Sequence, residues 1–163
     1  MGIEPGMPCA EAAQRMLEVR PAFRGPAPRQ VLVHESALGR VYALDTVKYA
    51  DARIAGSVLC MGSHSASSMP KYLDALGIRL AGVITNDVGR AKDDSGIAGL
   101  ETLDGAGVAA AVVSCETARV GDAQSTYQTG VVSACNRTAR ALGVEPGRSA
   151  VEAAAHMLAA FRR

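Results

Sequence analysis

The sequence has no tryptophan and only two phenylalanines, so large aromatic anchors cannot carry its interior. Alanine and glycine are plentiful instead, and a core of small residues depends on close approach between helices and strands. A surplus of either charge is missing too: 17 basic residues face 16 acidic ones, a net charge of +1. Without a basic field to hold a polyanion, nucleic acid is not an expected partner. No apolar run approaches the roughly 20 residues that span a bilayer, and MGIEPGMPCAEAAQRML lacks the basic start and continuous apolar stretch of a secretory signal. The expectation is a soluble, cytoplasmic chain with no membrane partner. The four cysteines, Cys9, Cys60, Cys115 and Cys135, show no C-x-x-C spacing and the three histidines are scattered. That pattern signals neither a zinc site nor a disulfide framework, and no metal or cofactor is expected. Also missing are G-x-S-x-G, G-x-x-x-x-G-K-[ST] and G-x-G-x-x-G, which disfavours nucleophile-elbow hydrolases, P-loop enzymes and ordinary dinucleotide enzymes.

What the sequence does contain is an alternation of buried strands and helices. The 163 residues suit one α/β domain spanning residues 1–163, with an N-terminal helix and Pro-rich linker over residues 1–28. Residues 8–18 carry Ala12, Ala13, Met16 and Leu17 on one helical face, and the prolines from Pro21 to Pro28 mark the linker. Gln30–Glu35 and Arg40–Lys48 are β-branched runs that Gly39 can join as a hairpin. Ile54–Met61, Leu80–Ile84 and Val108–Val113 are short, continuous apolar runs of the kind buried on both faces of a parallel sheet. Between them lie a helix opened by Ser68-Met69-Pro70 and stopped at Gly77, and a second capped by Asp94 that carries Ile97, Leu100 and Leu103. This is a βαβαβ core over residues 54–113, read as a three-layer Rossmann-like parallel sheet with an added hairpin and terminal helices. Ser114–Thr129 reads as a long functional loop. Val131, Cys135, Ala139 and Leu142 fall at helical spacing, and Ser149 with Glu152 forms a capping box for a last helix.

An internal repeat joins the two ends. EPGMPCAEAAQRML at residues 4–17 and EPGRSAVEAAAHML at 145–158 share eight of fourteen positions. The shared EPG lies outside the periodic part, so helix composition alone does not explain it. Two equivalent docking faces, one of them used across a homo-oligomer interface, are its simplest physical meaning.

In an open parallel sheet, ligands bind beyond the carboxyl ends of the strands. Three polar loops meet that description: residues 62–68, 85–94 and 114–127. The first, with Ser63, Ser65 and Ser67 around His64, offers hydroxyls, amides and a titratable ring for an anion. In the second, Asn86 is a donor and acceptor beside Asp87, a carboxylate that can orient His64 or bind a substrate hydroxyl or amine. The same residues also read as a turn that satisfies its own backbone. The third holds Cys115, either a nucleophile at a strand end or a buried filler. It also holds Arg119 as a clamp for a carboxylate, and Asp122, Ser125, Thr126 and Tyr127 as further substrate contacts. Catalysis is thus assigned to His64, Asp87 and Cys115.

The strand–Gly62-Ser63-x-Ser65–helix stretch resembles the phosphate loop of carboxyaminoimidazole ribonucleotide mutases, which implies an anion cradle there. That family follows its second strand with Ser-Ala-His-Arg-Thr, where this chain has Thr85-Asn86-Asp87-Val88-Gly89-Arg90. The expected function is an enzyme that binds a compact anionic metabolite, a carboxylate or phosphate, for acid/base chemistry such as amide hydrolysis or an isomerase or lyase step. The alternatives are a non-catalytic metabolite-binding or assembly subunit and a mutase-like enzyme.

Overall fold

A computed structural model describes residues 2–18, 30–65 and 67–161. The Pro-rich linker expected at residues 21–28 lies outside the described residues. The elements are α1 (Cys9–Glu18), β1 (Gln30–Ser36), β2 (Gly39–Leu44), β3 (Val58–His64), α2 (Met69–Ala75), β4 (Gly82–Asn86), α3 (Gly99–Gly105), β5 (Ala110–Val113), α4 (Ala123–Gln128), β6 (Val132–Cys135), α5 (Arg137–Ala141) and α6 (Ala150–Phe161), with single 3-10 turns at Val47–Tyr49 and Ala52–Ile54 and an irregular one at Lys92–Ile97. The six strands form one sheet in the order β1-β2-β3-β4-β5-β6. From β2 to β5 the pairing is parallel, while β1 and β6 join antiparallel at the two edges. The fold is α/β with a mixed, mostly parallel sheet: β3, β4 and β5 pair in parallel as expected, and β6 adds an antiparallel edge strand that was not expected. The edge at β1 is the hairpin expected from Gly39, which turns at φ 144° opposite Ser36.

Alternation along the central strands explains how both faces are covered. Val83 belongs to one buried cluster with Leu59, Met61, Val112, Leu73 of α2 and Leu103 of α3. Its neighbour Ile84 belongs to the other, with Cys60, Ala111, Val113, Tyr127 of α4 and Met157 of α6. Successive side chains of a strand point to opposite faces, so α2 and α3 lie on one face and α4 and α6 on the other. The scarcity of aromatics is met by close approach. A Cβ at Gly82 would stand 2.9 Å from Met157 Cγ, and one at Gly39 would stand 2.9 Å from Leu158 Cδ2. Bare backbone at these two positions lets α6 settle on the sheet.

Two expectations fail. The segment Gly130–Leu142 is not one helix but β6 followed by α5. Asn136 interrupts it by accepting from the Ala139 amide at 2.8 Å as the cap of α5, and from the Ala110 amide of β5 at 3.1 Å. Nor does Asp94 cap a helix. It adopts φ 55° and pairs with Arg90 at 2.8 Å, and α3 begins only at Gly99. The loop Ser114–Thr129 also contains α4, capped by Asp122, which accepts from the Ser125 amide at 3.0 Å. The last helix forms as expected: Ser149 Oγ accepts from the Glu152 amide at 3.2 Å, and Glu152 accepts from the Ser149 amide at 3.0 Å.

Candidate functional site

The strand order never reverses, yet the sheet has a point at which its connections part. After β4 the chain passes to α3 on one face; after β5, its neighbour, it passes to α4 on the other. A crevice opens where adjacent strands send their following segments to opposite faces. That rule puts the candidate crevice between Asn86-Asp87 and Ser114-Cys115, which the Cys115 amide bridges by donating to Asp87 at 3.0 Å; the clefts of about 400, 200 and 110 Å³ are lined by other residues.

The strand ends at this place are joined by side chains that bond to backbone. Asn86 is fully buried, donates from Nδ2 to the Ala118 carbonyl at 3.0 Å and accepts from the Val88 amide at 2.8 Å. Asp87, 5% exposed, accepts at Oδ1 from the amides of Gly89 and Cys115, both at 3.0 Å, and at Oδ2 from Ser133 Oγ at 2.7 Å. Burial works to raise the Asp87 carboxyl, but these donors, with a smaller contribution from the Cys115 thiol, outweigh it and hold the group below the ordinary carboxylate range. It is therefore an anion that already has its partners. The turn reading of Asn86 and Asp87 is realised in these bonds.

The other loops are stitched to this floor. Gly62 accepts from the Gly121 amide at 2.8 Å, and a Cβ there would lie 2.4 Å from the Asp122 nitrogen, so only glycine lets the loop after β5 cross β3. Ser65 donates its amide to Gly96 at 3.1 Å and accepts from the Gly99 amide at 2.7 Å, which fastens the loop after β3 to the one after β4. The hydroxyls of Ser65 and Thr85 are buried without a partner among the described residues. All three polar loops thus meet at the carboxyl ends of β3, β4 and β5.

The other expected site residues divide. Ser63 is half-buried and His64 and Ser67 are exposed around the end of β3, and the His64 ring makes no hydrogen bond among the described residues, to Asp87 or to anything else. Cys115 is half-buried beside Gly89. Arg119 is exposed; its amide donates to Ser125 Oγ at 2.9 Å, and its guanidinium forms no ion pair among the described residues. Thr126 and Tyr127 point away from the crevice into the packing of α4. The Thr126 hydroxyl donates to the Met61 carbonyl at 3.2 Å, and the Tyr127 ring lies 6.3 Å from that of His34, with burial pushing its phenol up. Ser133 escaped sequence reasoning because its segment looked helical; the Val-Ser-Ala-Cys alternation after Gly130 is the signal that would have placed it on a strand. Among the described residues, no three His, Cys, Asp or Glu side chains gather as a metal site, and no helix is long and apolar enough to cross a membrane.

The segment above the crevice is strained. Val88, Arg90, Ala91, Asp93 and Asp94 all have φ between 46° and 66°. For residues with a Cβ, this costs roughly 1–2 kcal/mol each. Ala91, with ψ −176°, occupies a region that is almost exclusively glycine's. The bonds from Asn86 and Asp87 at the start of the segment, and from Ser65 to Gly96 at its end, keep it in place.

No family model matches the chain, and no curated protein or solved structure matches it with significance.

Proposed function

We propose that this chain is an enzyme acting on a compact anionic metabolite, a small carboxylate or phosphate, held at the carboxyl ends of β3, β4 and β5 in a three-layer, Rossmann-like arrangement. The observation that carries the reading is the meeting of the three polar loops at these strand ends, where the connections part and backbone and side-chain bonds hold the loops together. Adjacent strands lie about 4.8 Å apart, so the three strand ends together span about 10 Å, a width comparable to that of a small metabolite. Strain concentrated in residues 88–94 supports it, because such backbone persists where the surroundings over-determine it, often beside ligands.

In this reading Arg119, whose guanidinium has no carboxylate partner among the described residues, binds the anion. His64, whose imidazole can both accept and donate a proton, exchanges one with the bound molecule. Cys115 stands at the crevice edge as a second proton carrier. Asp87 is a positioning residue: its three donors leave it no free role as a base, and it fixes Cys115 against β4. The reaction class is proton transfer on a small acid or hydrolysis of its amide.

A second reading is favoured by one observation. An exposed His64 with no orienting partner among the described residues is poorly prepared for catalysis, which suits a metabolite-binding subunit without turnover. The mutase-like reading gains nothing from the loop after β4, where Asn86 and Asp87 are occupied by backbone.

The test is a thermal-shift panel of phosphates and small carboxylates, then assay of the stabilising compound. A ligand at 100 times its Kd should stabilise by about 2.7 kcal/mol. Arg119→Ala is expected to weaken its binding by about 1.5–3 kcal/mol with little change in the unliganded melting point. His64→Gln should keep binding and lose turnover by about a hundredfold or more, the usual worth of a general acid or base. Binding without turnover in the unaltered protein selects the subunit reading; a panel in which nothing binds overturns both.

A further inference from the structure

We propose that α1 of one copy docks in the cleft at the amino ends of the strands of a second copy, each copy exchanging its helix with the other. The observation is a duplicated face used only once. In α6, Ala153, Ala154, Met157 and Leu158 are buried against the sheet. The repeat places the same four residues on α1, as Ala12, Ala13, Met16 and Leu17. Yet α1 buries no residue: Met16 is 56% and Leu17 78% exposed. A face shaped for burial in one helix stands in water in the other, and apolar surface so left forfeits the gain that burial would give.

The place for it adjoins α6 itself. A cleft of about 400 Å³ is lined by Leu73, Ile78, Leu103, Val108, Leu142 and Phe161, with Met157 of α6 in its wall. An apolar cavity of about 150 Å³ accommodates benzene, so this one has room for two aliphatic side chains such as Met16 and Leu17. A helix seated there would lie across the amino ends of β4 and β5, between the end of α6 and the α2–α3 layer. The cleft carries one charge of each sign, Arg79 and Asp74, neither in an ion pair among the described residues; Glu18, exposed at the end of α1 after Leu17, is placed against Arg79 in this arrangement. A second copy is favoured as the source because a single ten-residue helix, about 15 Å long, gives a small contact. Reciprocal exchange doubles that contact around one twofold axis. Residues 19–29 between α1 and β1 would reach at most about 40 Å when extended.

Sedimentation of the full chain over a range of concentrations tests this, with Cys9 as a reporter. Cys9 is the exposed cysteine of the four and occupies the repeat position of Ala150, which is fully buried in α6. The expected result is a reversible dimer in which Cys9 alkylation slows as concentration rises. Leu17→Asp should raise the dimer Kd about thirtyfold or more without lowering the melting point of the monomer, since α1 buries nothing. Arg79→Glu should weaken the dimer, and adding Glu18→Arg should restore it. A monomer at all concentrations overturns the proposal. So does a dimer indifferent to Leu17→Asp, or one in which the charge exchange fails to rescue. Cys9 protection that is independent of concentration would place α1 on its own chain and overturn it equally.

Discussion

Asp87 shows how one residue can look catalytic in sequence and serve as a clasp in structure. Its carboxylate joins the turn after β4, the amide of Cys115 and the hydroxyl of Ser133 on β6. Asp87→Ala would leave two amides and a hydroxyl unpaired in a buried place, and should cost about 3 kcal/mol or more in urea unfolding. The same bonds fix a pH dependence. A carboxyl held below its ordinary value of 3.8 stabilises the fold fully above that value and loses the contribution as pH falls through its lower, folded value. Stability should therefore decline below about pH 4, and Asp87→Asn should flatten that part of the acid limb; an unchanged limb would assign the acid sensitivity elsewhere. Ala91 gives the opposite case. Its side chain is exposed and its backbone suits glycine, so Ala91→Gly should raise stability by about 1 kcal/mol. A loss of stability on that change would show that the loop is not strained there.

At the scale of elements, the legible parts are those whose burial is unambiguous. β3, β4 and β5 are covered on both faces and announce themselves as continuous apolar runs, and Ser149 with Glu152 announces α6. The less legible parts are short and half-exposed. β6 has four residues and only Val132 buried, so an accidental helical spacing through Cys135 and Ala139 masks it. α4 is signalled only by Asp122 with Ser125 three residues on. The conformation of residues 88–94 has no local signal, because positive φ is not what valine and alanine side chains favour. Glycines separate the two kinds of position experimentally. Gly62→Ala drives a Cβ to 2.4 Å from the Asp122 nitrogen and should destabilise by about 2 kcal/mol or more through overpacking against backbone. Gly105, the last residue of α3, has open space around its Cβ, and Gly105→Ala should stabilise by about 0.4–1 kcal/mol. Denaturant midpoints of the two variants should move in opposite directions, and a shared direction would undo the packing argument at Gly62.

Across the whole molecule, the candidate site depends on which face each connection takes, and composition cannot reveal that. The three polar loops are recognisable in the sequence, but the meeting of loop and loop is carried by Gly62 to Gly121, Asn86 to Ala118 and Ser65 to Gly96, pairs far apart along the chain. The two ends of the sheet then carry different tasks. The carboxyl ends hold polar loops bonded to one another; the amino ends hold a cleft of about 400 Å³ lined by both apolar and polar side chains. The most direct measurement is an amide NMR titration of the full chain with inorganic phosphate and with a panel of small carboxylates. The expected result is that shifts concentrate in residues 62–68, 85–94 and 114–122, saturate with ligand, and disappear in Arg119→Ala at the same concentration. Shifts gathered around Ile78, Leu103 and Val108, or no saturating shift with any of these anions, would contradict the assignment of the ligand site to the crevice.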